Sequence, residues 1–240
     1  MARNGACDAA ATDETRAGLA RIPARFGPRW LRGYVLGKLR YDPAYAAVAE
    51  YLSPSGHALL DVGCGLGLLG QYLRACGHHN DYLGVDVDAG KIAAAQSAAR
   101  GLWPALAFAA IEAGRLPAFR GDVVMLDVLH YMSRDAQRVL LREAASRVAD
   151  DGLLIVRNVL REANWRYHLT RVEEVWLRAS GWMRTPVGHY PDADDIGGPL
   201  RASGFALSIT PLWGRTPFNS HLIVAARDPA LLHAAARIEP

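Results

Sequence analysis

Short apolar runs alternate with longer amphipathic stretches from about residue 45 to residue 227. Ala58-Leu59-Leu60-Asp61-Val62, Tyr82-Leu83-Gly84-Val85-Asp86, Asp122 to Leu129 and Leu153 to Val156 are too short and too continuously apolar for surface helices, so they predict buried strands. Between them, Gly67 to Ala75, Ala89 to Arg100 and Ser133 to Val148 carry apolar residues at helical spacing. Leu106 to Glu112 is alanine-rich and suits a helix equally well, and its place in the alternation assigns it as a strand. Asp150-Asp151-Gly152 supplies a stop and a turn. Repeated strand and helix predict an α/β fold, a parallel sheet covered on both faces.

The last third breaks the alternation. A helix-rich insert is expected from Glu162 to Ser180, then a Gly/Pro/Asp loop region to Pro199. Phe205 to Thr210 and His221 to Ala226 read as strands joined only by a loop, which makes them an antiparallel pair. At the other end, residues 1 to about 20 predict a frayed tail. Arg21 to Arg40 predicts a short cap helix resting on Trp30, Leu31, Val35 and Leu39, and Tyr41 to Leu52 a further helix. The organisation expected is therefore a tail and basic cap over 1–44, one domain over 45–228 and an alanine-rich tail over 229–240.

Composition narrows this picture only modestly. With 240 residues, 51% of them hydrophobic, the chain can bury one large core. Its formal net charge of +3 is ordinary, but Arg21 to Arg40 holds six basic residues and no acid, which reads as a solvated cationic face, or else as a lid that closes over the ligand or meets an acidic partner. Cys7, Cys64 and Cys76 are too few and too irregular for a disulfide framework or a zinc site, and a reducing, cytoplasmic setting fits them. No run approaches the length of a membrane span, and the N-terminal residues lack the apolar core of a secretory signal.

The chemistry gathers after the first strand. Gly65-Leu66-Gly67-Leu68-Leu69-Gly70 satisfies G-x-G-x-x-G, with Asp86 about 20 residues on, so a dinucleotide is one candidate ligand. Asp61 sits just before the alternating glycines 63, 65 and 67. A carboxylate so close to two phosphates would be repelled, whereas a cationic amino-acid group would be attracted.

On these residues the chain resembles the class I S-adenosylmethionine-dependent methyltransferases over roughly residues 45 to 227. The resemblance rests on Asp61-Val62-Gly63-Cys64-Gly65-Leu66-Gly67, on Gly84-Val85-Asp86, on Ile111 to Pro117, on Asp122 to Tyr131 and on the final strand pair. It implies a Rossmann-like seven-stranded sheet with an antiparallel last strand and S-adenosyl-L-methionine as cofactor. It also implies that Asp61, Gly63, Cys64, Gly65 and Gly67 pass under the methionine and ribose. Asp86, with Val87, would hold the ribose hydroxyls; Glu112 and Ala113 would reach the adenine; Asp127 to Leu129 would line the methionine side. Glu112 departs from the family's usual Asp by one methylene. A weaker resemblance to methyltransferases of aryl polyene or fatty-acid-type biosynthesis, over Arg29 to Tyr45 and Gly214 to Leu222, would make the basic segment a dock for an acyl or aryl carrier protein.

A sulfonium is already activated, so a general base is needed only for an acceptor protonated at neutral pH. His130, at the exit of the fourth strand, is the best-placed base, or else a packing residue in a turn. His168 and His189, with Arg215 and Asn219 in the loop between the last strands, are candidate acceptor contacts. Trp165, Tyr167, Trp176, Trp182 and Tyr190 give that side an aromatic lining, or else a local core. The function expected is methyl transfer to a small aromatic or acyl-type molecule, on oxygen. The competing functions are an NAD(P)-dependent oxidoreductase using Gly65 to Gly70 and a non-catalytic binding module. No metal is expected, because the cysteines and histidines lack a ligand spacing, and no nucleic acid, because the basic residues occupy one short segment.

Overall fold

The computed structural model describes residues 13–112, 115–162, 188–214 and 219–233. Seven strands form one sheet: β1 Leu59–Val62, β2 Tyr82–Asp86, β3 Ala107–Ala110, β4 Asp122–Leu126, β5 Leu153–Val159, β6 Ala206–Pro211 and β7 Ser220–Ala226. Their order is β3-β2-β1-β4-β5-β7-β6. The chain winds outward from β1 to β3, returns to β4 and winds the other way, so the order reverses between β1 and β4. At such a reversal, open α/β sheets bind ligands in a crevice beyond the carboxyl ends of the strands.

β1 pairs parallel with both β2 and β4, with Asp61 opposite Gly84 on one side and Val124 on the other. β7 runs antiparallel to β5 and to β6, as the short connection predicts. β6 therefore points the same way as β1, and its exit lies on the crevice side.

Each sheet face has its own core. Leu59, Val124, Ile155 and Leu222 pack beneath α2 (Arg29–Tyr41), α3 (Ala44–Leu52), α4 (Leu68–Ala75) and α5 (Ala89–Ala98). Leu60, Met125, Leu154 and Ile223 pack beneath α6 (Arg134–Arg147) and α7 (Ala193–Ala202). Fully burying one such side chain contributes about 1.5–3 kcal/mol.

Several elements differ from the sequence expectation. Asp13–Arg21 forms a helix, α1, and Leu19 packs against the first core, so this part of the expected tail is helical. On α2, Val35 is fully buried, but Trp30 is 65% exposed and does not rest on the core. The helix expected over Tyr41 to Leu52 begins only at Ala44, because Asp42-Pro43 breaks the chain before it.

The loop region expected before Pro199 contains α7. Asp192 accepts from the Asp195 N–H at 2.8 Å, and Asp195 accepts in return from the Asp192 N–H at 3.3 Å. This reciprocal cap, with Ile196 and Leu200 one turn apart and fully buried, outweighs Gly197-Gly198-Pro199. Cys64 is a free thiol, whereas Cys76 is disulfide-bonded, which the cysteine count does not predict. The insert expected over Glu162 to Ser180 and the tail beyond residue 233 lie outside the described residues, apart from Glu162 itself.

Candidate cofactor and acceptor site

The crevice is floored by the turn between β1 and α4. The Gly63 and Cys64 N–H groups both donate to the Val85 carbonyl, at 2.7 and 3.0 Å, which ties the turn to β2. Gly63 and Gly65 have φ of +75° and +54°, the left-handed region that favours glycine. A Cβ on Gly63 would lie 2.3 Å from Val128 Cγ2, so this glycine lets the turn and the β4 exit close on each other. A Cβ on Gly65 would meet nothing within 4 Å. That open ground over bare backbone is what a ligand lying across the turn requires.

Asp86 ends β2 beside this ground. Its Oδ2 accepts from the Gly65 N–H at 2.9 Å and its Oδ1 from the Asp88 N–H at 2.9 Å. Each oxygen keeps a second lone pair, so the carboxylate can still take two hydroxyl donors from a diol. Val87 follows at 65% exposure, an apolar side chain next to the carboxylate. Glu112 extends from the β3 exit with its side chain 79% exposed, 3.4 Å from Arg115. Ala113 lies outside the described residues.

Asp61 is placed differently from these. It is 2% exposed beneath the turn and accepts from the Tyr82 hydroxyl at 2.6 Å. Burial, helped by the nearby charge of Asp86 and opposed by the Tyr82 hydrogen bond, pushes its carboxyl up to about 7.

The β4 exit supplies the opposite wall. Asp127 has φ of +59°, uncommon for any residue but glycine, and its N–H donates to the Arg157 carbonyl at 2.8 Å. Its carboxylate takes both Nε, at 2.9 Å, and a terminal nitrogen of the Arg157 guanidinium. Arg157 also donates to Asp42 at 2.7 Å, and Asp42 accepts from Lys38 Nζ at 2.9 Å. Lys38 belongs to the basic segment that the sequence offers as a lid, whereas Asp42 and Arg157 are not among the site residues the sequence suggests. The available signal was an arginine directly continuing the apolar run Leu153 to Val156. Leu129 is fully buried in the second core and reaches the crevice only as the support of its neighbours.

His130 is 8% exposed on the short turn Leu129–Tyr131 after β4. Its Nδ1 lies 3.2 Å from Asn158 Oδ1, and its ring stacks on Tyr190 with centroids 5.8 Å apart. Asn158 Nδ2 donates to the Val159 carbonyl, which fixes the amide with its oxygen toward the histidine. His130 Nδ1 is then the donor, and in the neutral ring the basic lone pair is on Nε2.

Of the other acceptor candidates, His189 lies beside His130, its N–H donating to the His130 carbonyl at 3.4 Å. His189 Nε2 lies 3.0 Å from Asp195 Oδ2 at the start of α7. Asn219 is fully buried and donates to the Leu160 carbonyl and to Glu162, both at 3.0 Å, tying the β5 exit to β7. Arg215, His168, Trp165, Tyr167, Trp176 and Trp182 lie outside the described residues.

Comparisons with known proteins agree with this architecture. Residues 60–154 match a family model described as a methyltransferase domain. Among solved structures, magnesium protoporphyrin IX methyltransferase from Synechocystis PCC 6803, with bound S-adenosylhomocysteine, is 19% identical, with a TM-score of 0.62 over 89% of this chain and 96% of that one. An O-methyltransferase family protein from Burkholderia thailandensis is also 19% identical, with a TM-score of 0.62 over 90% of this chain and 61% of that one. The [4+2]-cyclase SpnF is 18% identical, with a TM-score of 0.56 over 78% of this chain and 84% of that one. A search of curated proteins returns no match. At these identities the structural likeness establishes the fold, and the domain match covers β1 to the start of β5. Residues 60–154 thus match a methyltransferase domain within a Rossmann-like methyltransferase fold, and solved structures of that fold hold S-adenosylmethionine or S-adenosylhomocysteine. Among the described residues, no helix is long and apolar enough to cross a membrane.

Proposed function

We propose that the protein methylates a hydroxyl oxygen of a small aromatic or acyl-type acceptor, with His130 as general base. The observation that carries this reading is the Asn158 clamp, which holds His130 at the β4 exit in the tautomer whose Nε2 can accept a proton. The open backbone at Gly65 and the paired Asp86 oxygens fit an adenosine, with Gly63, Cys64, Gly67, Val87, Glu112 and Ala113 around it. Asp127 and Leu129 belong to the methionine side in the same reading. When bound, S-adenosylmethionine supplies a methyl group already activated on a sulfonium. The protein's work is to align the acceptor, to keep water out and, at His130 Nε2, to take the hydroxyl proton as the oxygen bonds to carbon.

The test is transfer of labelled methyl into small-molecule hydroxyl acceptors from a producing extract. We expect label in an ether or ester, and His130→Gln to lower kcat about 10²–10⁴-fold with S-adenosylhomocysteine affinity within about twofold. Equal loss of turnover and affinity would show His130 to be a packing residue. Label on carbon or nitrogen would refute O-methylation.

A separate observation bears on how the acceptor arrives. α2 exposes Trp30, Tyr34 and Tyr41 along one side, next to the exposed Arg29 and Arg40. We propose that this face meets an acidic acyl or aryl carrier protein presenting the acceptor. Arg29→Glu with Arg40→Glu should raise KM for a carrier-bound acceptor and leave KM for the free one unchanged.

A further inference from the structure

Lys38, Asp42, Asp127 and Arg157 form a neutral cluster of two cations and two anions beside the crevice. The Arg157 and Asp42 side chains are 8% and 9% exposed, and those of Asp127 and Lys38 are 26% and 30% exposed. Lys38 stands 2.9 Å from Asp42 and 3.8 Å from Asp127, so it borders both acids. The cluster joins α2, the Asp42-Pro43 break, β4 and β5 at one point.

Its position suggests more than fold stability. Asp127 is the single non-glycine residue with positive φ among the described residues, and Arg157 grips it twice, through its own carbonyl and through its guanidinium. A backbone held in this region costs of order 1–3 kcal/mol and persists only where its surroundings over-determine it. The next residue, Val128, is the one against which Gly63 closes. Displacing Arg157 would therefore move Asp127 and then Val128, the residues that line the methionine side. Asp42 and Lys38 hold Arg157 and Asp127 from the other side, and both come from the N-terminal segment.

We infer that this cluster is a positioning device for the methionine half of the cofactor site, through which Lys38 and Asp42 set affinity for the cofactor's amino-acid end without touching its adenosine end. The inference rests on the placing of Asp127 to Leu129 along the methionine side. Nothing in the adenosine half depends on it directly: Asp86 is held by the Gly65 and Asp88 N–H groups.

Two probes separate the halves. S-adenosylhomocysteine carries the amino-acid end, and 5′-methylthioadenosine carries the same adenosine without it. Titration calorimetry of the full chain should show Asp42→Asn and Lys38→Met weakening S-adenosylhomocysteine about tenfold, within the usual range for coupling between sites, with 5′-methylthioadenosine changed less than twofold. Lys38→Arg keeps the charge and should bind both probes as the wild type does. Parallel loss of both probes, or no loss of either, would overturn the inference and leave the cluster a structural one. Failure of the wild type to bind either probe would instead refute the cofactor reading on which it rests. Lys38 lies at the half-buried edge of the cluster, so Lys38→Met keeps the test open if Asp42→Asn fails to fold.

Discussion

The two halves of the crevice are made of different materials. On the β1–β2 side, backbone N–H groups, glycines and one carboxylate do the work, and Gly65 and Asp86 are only 21 residues apart. On the β4–β5 side, the wall is held by charged side chains, and Arg157 and Asp42 are 115 residues apart. A backbone cradle is insensitive to most side-chain changes and has few ways to be tuned. An ion-pair cluster is the reverse, because removing one buried charge strands its partners.

The largest effect that should expose this difference is on stability. Arg157→Met leaves two largely buried acids to Lys38 alone, and we expect a loss of about 3–5 kcal/mol in denaturant unfolding. A loss below about 1 kcal/mol would mean that solvent compensates the cluster, and the contrast between the halves would fall.

The second effect separates the halves by pH. The folded-state value of Asp61, about 7, is raised above its ordinary 3.8, so its contribution is full below about 4 and is lost as pH rises to 7. Stability of the ligand-free protein should fall by on the order of 4 kcal/mol across that interval. Asp61→Asn, which keeps an acceptor for Tyr82, should flatten the slope, and Asp42→Asn should leave it in place.

The third runs the opposite way. Burial alone would raise the Asp42 carboxyl, but Arg157 and Lys38 outweigh it and hold the value down at about 2. Its contribution is full above the ordinary 3.8 and is lost as pH falls toward 2, an acid limb of roughly 2 kcal/mol that Asp42→Asn should shrink. An unchanged acid limb would place the sensitivity elsewhere, for instance at Asp195, which His189 and Arg134 hold down against its burial.

The smallest is confined to binding. Asp86→Ala should weaken S-adenosylhomocysteine by about 1–3 kcal/mol, and it should weaken 5′-methylthioadenosine equally, because both carry the ribose. A deficit limited to S-adenosylhomocysteine would reverse the assignment of the halves.

The same contrast explains what could be read from sequence. β2 was expected and found over Tyr82 to Asp86, and the glycine turn announces itself because its determinants are contiguous. The β5 strand was expected to end at Val156 and runs on to Val159. Arg157 reads as a strand end unless its partners are known, and those come from the distant Asp42-Pro43 break and from the exit of the neighbouring strand β4. α7 was hidden for a related reason: Gly197, Gly198 and Pro199 are local breakers, while Ile196 and Leu200 are buried through contacts with the sheet. Local chemistry was legible, and neutralisation or burial by remote partners was not.

The Asp42–Arg157 pair also has a consequence for the order of folding. Closing a loop of that span costs chain entropy before any contact repays it, whereas the Gly65–Asp86 bond closes a short one. Asp42 leaves the ribosome early, yet it cannot reach Arg157 until β5 has been made. The glycine turn and Asp86 should therefore acquire hydrogen-exchange protection first during refolding, with α2 docking as one of the last events.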